Sequence, residues 1–100
     1  MGAVMSFREE IQRQRDVVLG IARRYGASNL RLFGSVARAE ERPDSDVDLL
    51  IDLGPERGFS DYLGLAEELE ALLDRRVDLV LSRSLSPHFR PFIEAEARPV

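Results

Sequence analysis

The chain has no cysteine, no tryptophan, no lysine and a single histidine among its 100 residues. Without cysteine it can form neither disulfides nor thiolate metal sites, which suits a reducing cytoplasm. No apolar run approaches the ~20 residues that span a bilayer, and no secretory signal is recognisable, so no membrane role is expected. The opening MGAVMS fits a short myristoylation pattern, but so loose a pattern carries no argument. All fourteen basic residues are arginine, a usage that biased genome composition explains as well as function does.

What is present suffices for one domain, residues 1–100, since compact units rarely divide below this size. Hydrophobic residues make up 44%, enough for a real core, and 32% are charged, which implies a densely ionic surface. The net charge of −4 is unevenly spread. Residues 1–38 hold seven Arg against three acids, residues 39–74 two against twelve, and residues 75–100 five against three. An acidic chain of this kind offers no broad basic surface, so general nucleic-acid binding is not expected. A concentrated acidic middle is what a divalent cation site needs, and also what a solvated helix face looks like.

Periodicity orders the chain into alternating helices and strands. Ser6 with Glu9 reads as a capping box that opens an amphipathic helix. Its apolar positions are Phe7, Ile11, Val18, Ile21, Ala22 and Tyr25, and Gly26 is its stop. NLRLF (29–33) is a strand leading into Gly34-Ser35, and residues 35–41 are compatible with helix until Pro43, Asp44 and Ser45 form a turn. VDLLIDL (47–53) is the strongest strand, closed by Gly54-Pro55. Ser60 is the expected N-cap of a second helix with the stripe Tyr62, Leu65, Ala66, Leu69, Leu72 and Leu73. VDLVL (77–81) is a further strand, a short helix is expected from about residue 90 onward because of Pro91, and Arg98-Pro99-Val100 reads as an edge strand. The fold class is therefore α/β or α+β, a small mixed sheet of three or four strands flanked by helices.

Side chains alternate across a strand, so Asp46, Asp48, Leu50 and Asp52 share one face while Val47, Leu49, Ile51 and Leu53 share the core face. In VDLVL the same rule puts Asp78 and Val80 opposite the core, so pairing of the two strands brings Asp78 towards Asp46 and Asp48. Carboxylates ~5 Å apart repel by roughly 3 kcal/mol at an effective dielectric of 20. Such a group must take up protons, open onto water or hold a cation. Oxygen-only donors favour a hard ion, Mg²⁺ or Mn²⁺. The bland alternative is a sheet face wetted by solvent, yet aspartate is a poor strand former and recurs here in two otherwise apolar strands. Gly34-Ser35 at the start of a helix-compatible stretch is a simple turn or an anion cradle, with Arg38 one turn on able to add a charge-assisted contact.

Gly34-Ser35, ten residues, then Asp46-x-Asp48 is a spacing expected by chance in roughly one in a thousand chains of this length. The segment GSVARAEERPDSDVDLLI resembles the minimal nucleotidyltransferases (MNT), a branch of the polymerase-β-like superfamily, and the likeness extends over residues 28 to 100 through VDLVL and the terminal IEAEARPV. Ala39 departs from it, standing where relatives often have Gly. The resemblance implies that fold, and roles for individual residues. Gly34, Ser35 and Arg38 would hold a nucleoside triphosphate, ATP, while Asp46, Asp48 and Asp78 would bind Mg²⁺ or Mn²⁺, Asp78 also assisting deprotonation of an acceptor hydroxyl. Asp52, farther along the strand, and the lone His88 are expected at the surface. MNT proteins often pair with a HEPN-domain toxin as its antitoxin, and some transfer AMP to it, so the leading expectation is a cytoplasmic, Mg-dependent adenylyltransferase acting on such a partner, in a homo- or hetero-oligomer. The alternatives are a non-catalytic module that neutralises its partner by binding, and a transferase acting on a small molecule, against which the lack of an acceptor domain speaks. The apolar faces of the first and last helices are the expected partner contacts.

Overall fold

The computed structural model describes residues 7–38, 40, 42 and 45–100. The Ser6 cap, the MGAVMS pattern, Ala39 and the Pro43-Asp44 part of the turn lie outside the described residues. Two helices come first, α1 (Phe7–Arg13) and α2 (Arg15–Arg24). One continuous helix was the expectation. Gln14 leaves helical geometry at φ −100°, ψ 15°, and its N–H is shared between the carbonyls of Glu10 and Ile11. Val18 N still bonds the Gln14 carbonyl at 2.9 Å, so the break is a kink and not a loop. Gly26 ends α2 as expected, at φ +76°, a left-handed value that glycine adopts without steric cost.

Strand β1 (Ala27–Phe33) starts two residues before the expected NLRLF. It carries a register irregularity between Ser28 and Arg31, where Asn29 sits at φ +53°. That extra residue lets Ala27, Leu30 and Leu32 all face the core despite uneven spacing. A four-residue helix, α3 (Gly34–Ala37), follows directly. Strand β2 (Val47–Leu53), helix α4 (Phe59–Leu73) and strand β3 (Val77–Leu81) form a parallel crossover unit whose strands have the expected bounds. Helix α4 is capped by Gly58 and not by Ser60, because the Asp61 carboxylate accepts the Gly58 N–H at 3.1 Å and satisfies that helix start. A 3₁₀ turn (Ser82–Ser84), helix α5 (Arg90–Glu96) with Pro91 in its first turn, and a two-residue strand β4 (Arg98–Pro99) complete the chain.

The sheet order is β3-β2-β1-β4, with β1 antiparallel to both β2 and β4 and β2 parallel to β3. Proline in β4 is acceptable because that strand is an edge. The end of the chain is fastened there: Val100 N donates to the Leu30 carbonyl, Arg15 Nε donates to the Val100 carbonyl at 2.9 Å, and the Val100 side chain is buried.

One face of the sheet is the core. Val47, Leu49, Ile51, Val77 and Leu79 pack there with Val18, Ile21 and Ala22 of α2 and Leu65, Leu69 and Leu73 of α4. Phe7 and Ile11 belong to the same cluster, so the apolar face of α1 serves the core and is not the partner surface expected of it. At α5, by contrast, Phe92 and the N-cap residue Phe89 are exposed. Leu50 lies on the opposite sheet face with Asp48 yet is wholly buried, so that face is not simply wetted by solvent. Among the described residues no helix is long and apolar enough to cross a membrane.

Leu49→Ala removes a buried side chain from the middle of this layer and should cost about 2–5 kcal/mol. Urea unfolding checks this, with the midpoint falling and the slope unchanged; a midpoint within error of the wild type would show that the core does not close around β2 as described.

Candidate active site

The site is built from the register of three strands. In the β2–β3 ladder Asp48 stands opposite Asp78, and in the β1–β2 ladder Phe33 stands opposite Asp48. The residue after Phe33 is Gly34, so the end of β1, the start of β2 and the start of β3 deliver Gly34, Asp48 and Asp78 to one place. Adjacent strands run ~4.8 Å apart, so the two carboxylates are neighbours on the face away from the core. Asp46 immediately precedes β2 and is exposed, as is Asp78, while Asp48 is half-buried.

The starts of β2 and β3 are pinned by contacts invisible to spacing arguments. Val47 N donates to the Arg76 carbonyl at 2.9 Å, and Val77 N donates to Glu70 Oε2 of α4 at 2.9 Å. Arg75 donates to the Arg42 carbonyl at 3.0 Å and lies over the Phe7 ring, strapping the segment before Asp46 to the body. Ser45 shapes that segment as expected, its hydroxyl accepting the Arg42 N–H at 2.7 Å.

Gly34 is required twice over. Its φ is +74°, and a Cβ at this position would collide with the Asp48 carboxylate. No other residue lets the β1–α3 turn pass so close to Asp48. The Gly34 N–H is taken by Glu96 Oε1 at 2.5 Å, and the second oxygen of Glu96 accepts Arg38 Nη1 at 2.9 Å. Arg38 also donates to Glu40 at 3.1 Å. Arg38 is therefore engaged at the site edge, Ser35 is half-buried beside it, and Glu96 is a site residue that sequence reasoning missed. Asp52 accepts a hydrogen bond from Asn29 and lies away from this cluster, and His88 is exposed with its ring edge against Phe89, both as expected.

Asp48 carries the electrostatic signature of the site. Burial, then the charges of Asp78 and Asp46, push its carboxyl up to about 6, and Glu96 adds to the push while Arg38 opposes it. Among the described residues no three acidic, histidine or cysteine side chains stand as a ready-made metal cage. The donor chemistry nevertheless fits a hard divalent cation. All donors are carboxylate oxygens, and a dication beside Asp48 would offset both the burial and the like charges that raise its proton affinity.

Comparison with known proteins agrees with this geometry. The family model described as polymerase beta, nucleotidyltransferase, matches residues 21–100. The chain belongs to this nucleotidyltransferase family. A solved structure described as a candidate minimal nucleotidyltransferase superposes with a TM-score of 0.85 at 42% identity, covering 99% of this chain and all of that one. The protein adenylyltransferase MntA of Thermococcus cleftensis is 45% identical over 62 residues, 62% of this chain and 63% of the relative. A crystal structure of a toxin–antitoxin with AMP-PNP superposes at 0.71 with 23% identity over 84% of this chain and 69% of that one, a likeness of fold. The nucleotidyltransferase fold and the minimal type expected from the Gly-Ser and Asp-x-Asp spacing are both borne out.

The raised Asp48 has a consequence for stability. Its folded pKa lies above the unfolded value, so its contribution is fully present at low pH and is lost as pH rises through about 6. Ionised Asp48 then destabilises the cation-free protein by on the order of 1 kcal/mol, allowing for solvent screening of a half-exposed group. Asp48→Asn, measured in chelator, should raise Tm at pH 8 by about 4–8 °C, with the gain vanishing at pH 4. A loss of Tm at pH 8 would contradict this account.

Proposed function

We propose that this nucleotidyltransferase moves AMP from ATP to a hydroxyl of a partner protein in the cytoplasm, with Mg²⁺ as its cation, and that the partner is a toxin of the HEPN type which the modification silences. The observation that carries the reading is the placement of Asp48 beside Asp78 with Gly34 against Asp48. The adenylyl-transfer part is supported by the relative from Thermococcus cleftensis, a protein adenylyltransferase. The chain matches 63% of that relative's length, so its substrate and partner come to this chain as part of the proposal.

The residues divide the work as follows. The Gly34 N–H, the Ser35 hydroxyl and Arg38 hold the β- and γ-phosphates, which fixes the α-phosphorus over the aspartate face. Asp46, Asp48 and Asp78 would hold the cation, which when bound offsets charge on the reacting phosphoryl oxygens. Asp78, at the exposed edge strand, faces the approaching acceptor and takes up the proton of its hydroxyl. The acceptor oxygen bonds to the α-phosphorus, the α–β anhydride bond breaks, and pyrophosphate leaves. Positioning and electrostatics supply most of the rate in such transfers. The exposed Phe92 of α5 and Phe89 at its N-cap supply apolar surface for the partner that brings the hydroxyl.

The test is purification with the co-purifying partner, followed by Mg²⁺ and ATP labelled at the α-phosphate. Label should appear on the partner and fall by at least about 100-fold with Asp48→Asn, which keeps the partner complex. A stable complex that neutralises the partner with no label in either protein would replace transfer by neutralisation through binding alone.

A further inference from the structure

The Gly34 N–H and the Arg38 guanidinium, two of the groups assigned to the triphosphate, are already engaged by one carboxylate. Glu96 spans them with both oxygens, at 2.5 Å and 2.9 Å. This is the donor set an anionic phosphate oxygen would use, a backbone N–H beside a guanidinium. Glu96 does not rest there without opposition. Its charge is among those that push the Asp48 carboxyl up, so it sits in a field of like sign. It is also the last residue of α5, a seven-residue helix none of whose residues is fully buried. A short helix with so little burial has a low cost of local opening.

We propose that Glu96 is an internal anion that fills the phosphate cradle in the nucleotide-free protein, so that triphosphate binding displaces it and loosens helix α5. This rests on the nucleotide reading above and adds a regulatory element to the same site. Two anions cannot share a single N–H and a single guanidinium edge, so nucleotide and Glu96 compete. Glu96 satisfies the Gly34 donor when no phosphate is there, which keeps the β1–α3 turn in its left-handed shape. Once displaced, Glu96 leaves Arg38 Nη1 to the phosphate while Arg38 Nε keeps Glu40. Helix α5, with Phe92 exposed on it and Phe89 exposed at its N-cap, then changes its packing. Nucleotide occupancy is thereby transmitted to the helix that exposes Phe92 and follows the exposed Phe89.

The experiment uses α,β-methylene-ATP, which cannot transfer AMP, with Mg²⁺ and the full chain. Glu96→Gln keeps the shape and an oxygen for the Gly34 N–H but removes the competing charge. It should bind the analogue about tenfold tighter than the wild type, because a neutral acceptor is easier to displace. In the wild type, amide hydrogen exchange over residues 90–96 should speed up when the analogue binds, a readout that does not depend on how the variant folds. If the wild type binds but Glu96→Gln binds equally or more weakly and exchange in α5 is unchanged or slower, Glu96 is a supporting residue and the proposal is overturned. If neither protein binds the analogue, the nucleotide reading itself fails and takes this proposal with it.

Discussion

The parallel pairing of β2 with β3 in one register is the constraint on which the rest depends. Because side chains alternate with period two, a slip of one residue would turn Asp78 into the core and bring Val77 out beside Asp48. The observed register prevents this by burying Val77 and Leu79 on the same side as Val47, Leu49 and Ile51. Hydrophobic burial thus enforces a juxtaposition of like charges that electrostatics alone would reject. The core holds the two carboxylates together, and burial of Asp48, with the nearby charge of Asp78 second, appears on the opposite face as the raised proton affinity of Asp48.

Around that pair the structure closes a circuit from the start of the sheet to the end of the chain. Gly34 passes so close to Asp48 that only a residue without a side chain fits. Its N–H then needs an acceptor, and β4, fastened to the outer edge of β1, places α5 and Glu96 where one can be supplied. Glu70 and Arg75 hold the starts of the two aspartate strands from behind. Neither Glu70 nor Arg75 touches the proposed reaction, yet each helps to fix the position of a group that does.

Much of this was legible in the sequence because it rests on local rules. The bounds of VDLLIDL and VDLVL, the helix stripe of Leu65, Leu69 and Leu73, the Gly26 stop and the edge position of Pro99 follow from periodicity and backbone preference. The approach of Asp78 to Asp48 needed only the assumption that two apolar strands pair. What was not legible depends on partners distant in the chain. Glu96 lies 62 residues from Gly34, and no spacing pattern joins them. The kink at Gln14 and the irregularity at Asn29 come from small backbone departures that the residue types do not announce. Gly58 displaced Ser60 as the start of α4 because Asp61 reaches back to it, an alternative that residue preference ranks below serine. The first helix looked available to a partner only because its burial by the chain's own sheet is a tertiary fact.

Asp48, Asp78 and Gly34 are proposed to form one nucleotide and cation site. A crystal of the protein soaked with Mn²⁺ and a non-reactive ATP analogue tests it through the anomalous signal of the metal. A peak is expected within about 2.3 Å of oxygens from Asp48 and at least one of Asp46 and Asp78, with a phosphate of the analogue on the Gly34 N–H. Metal or triphosphate bound elsewhere, with these carboxylates left to water, would contradict it.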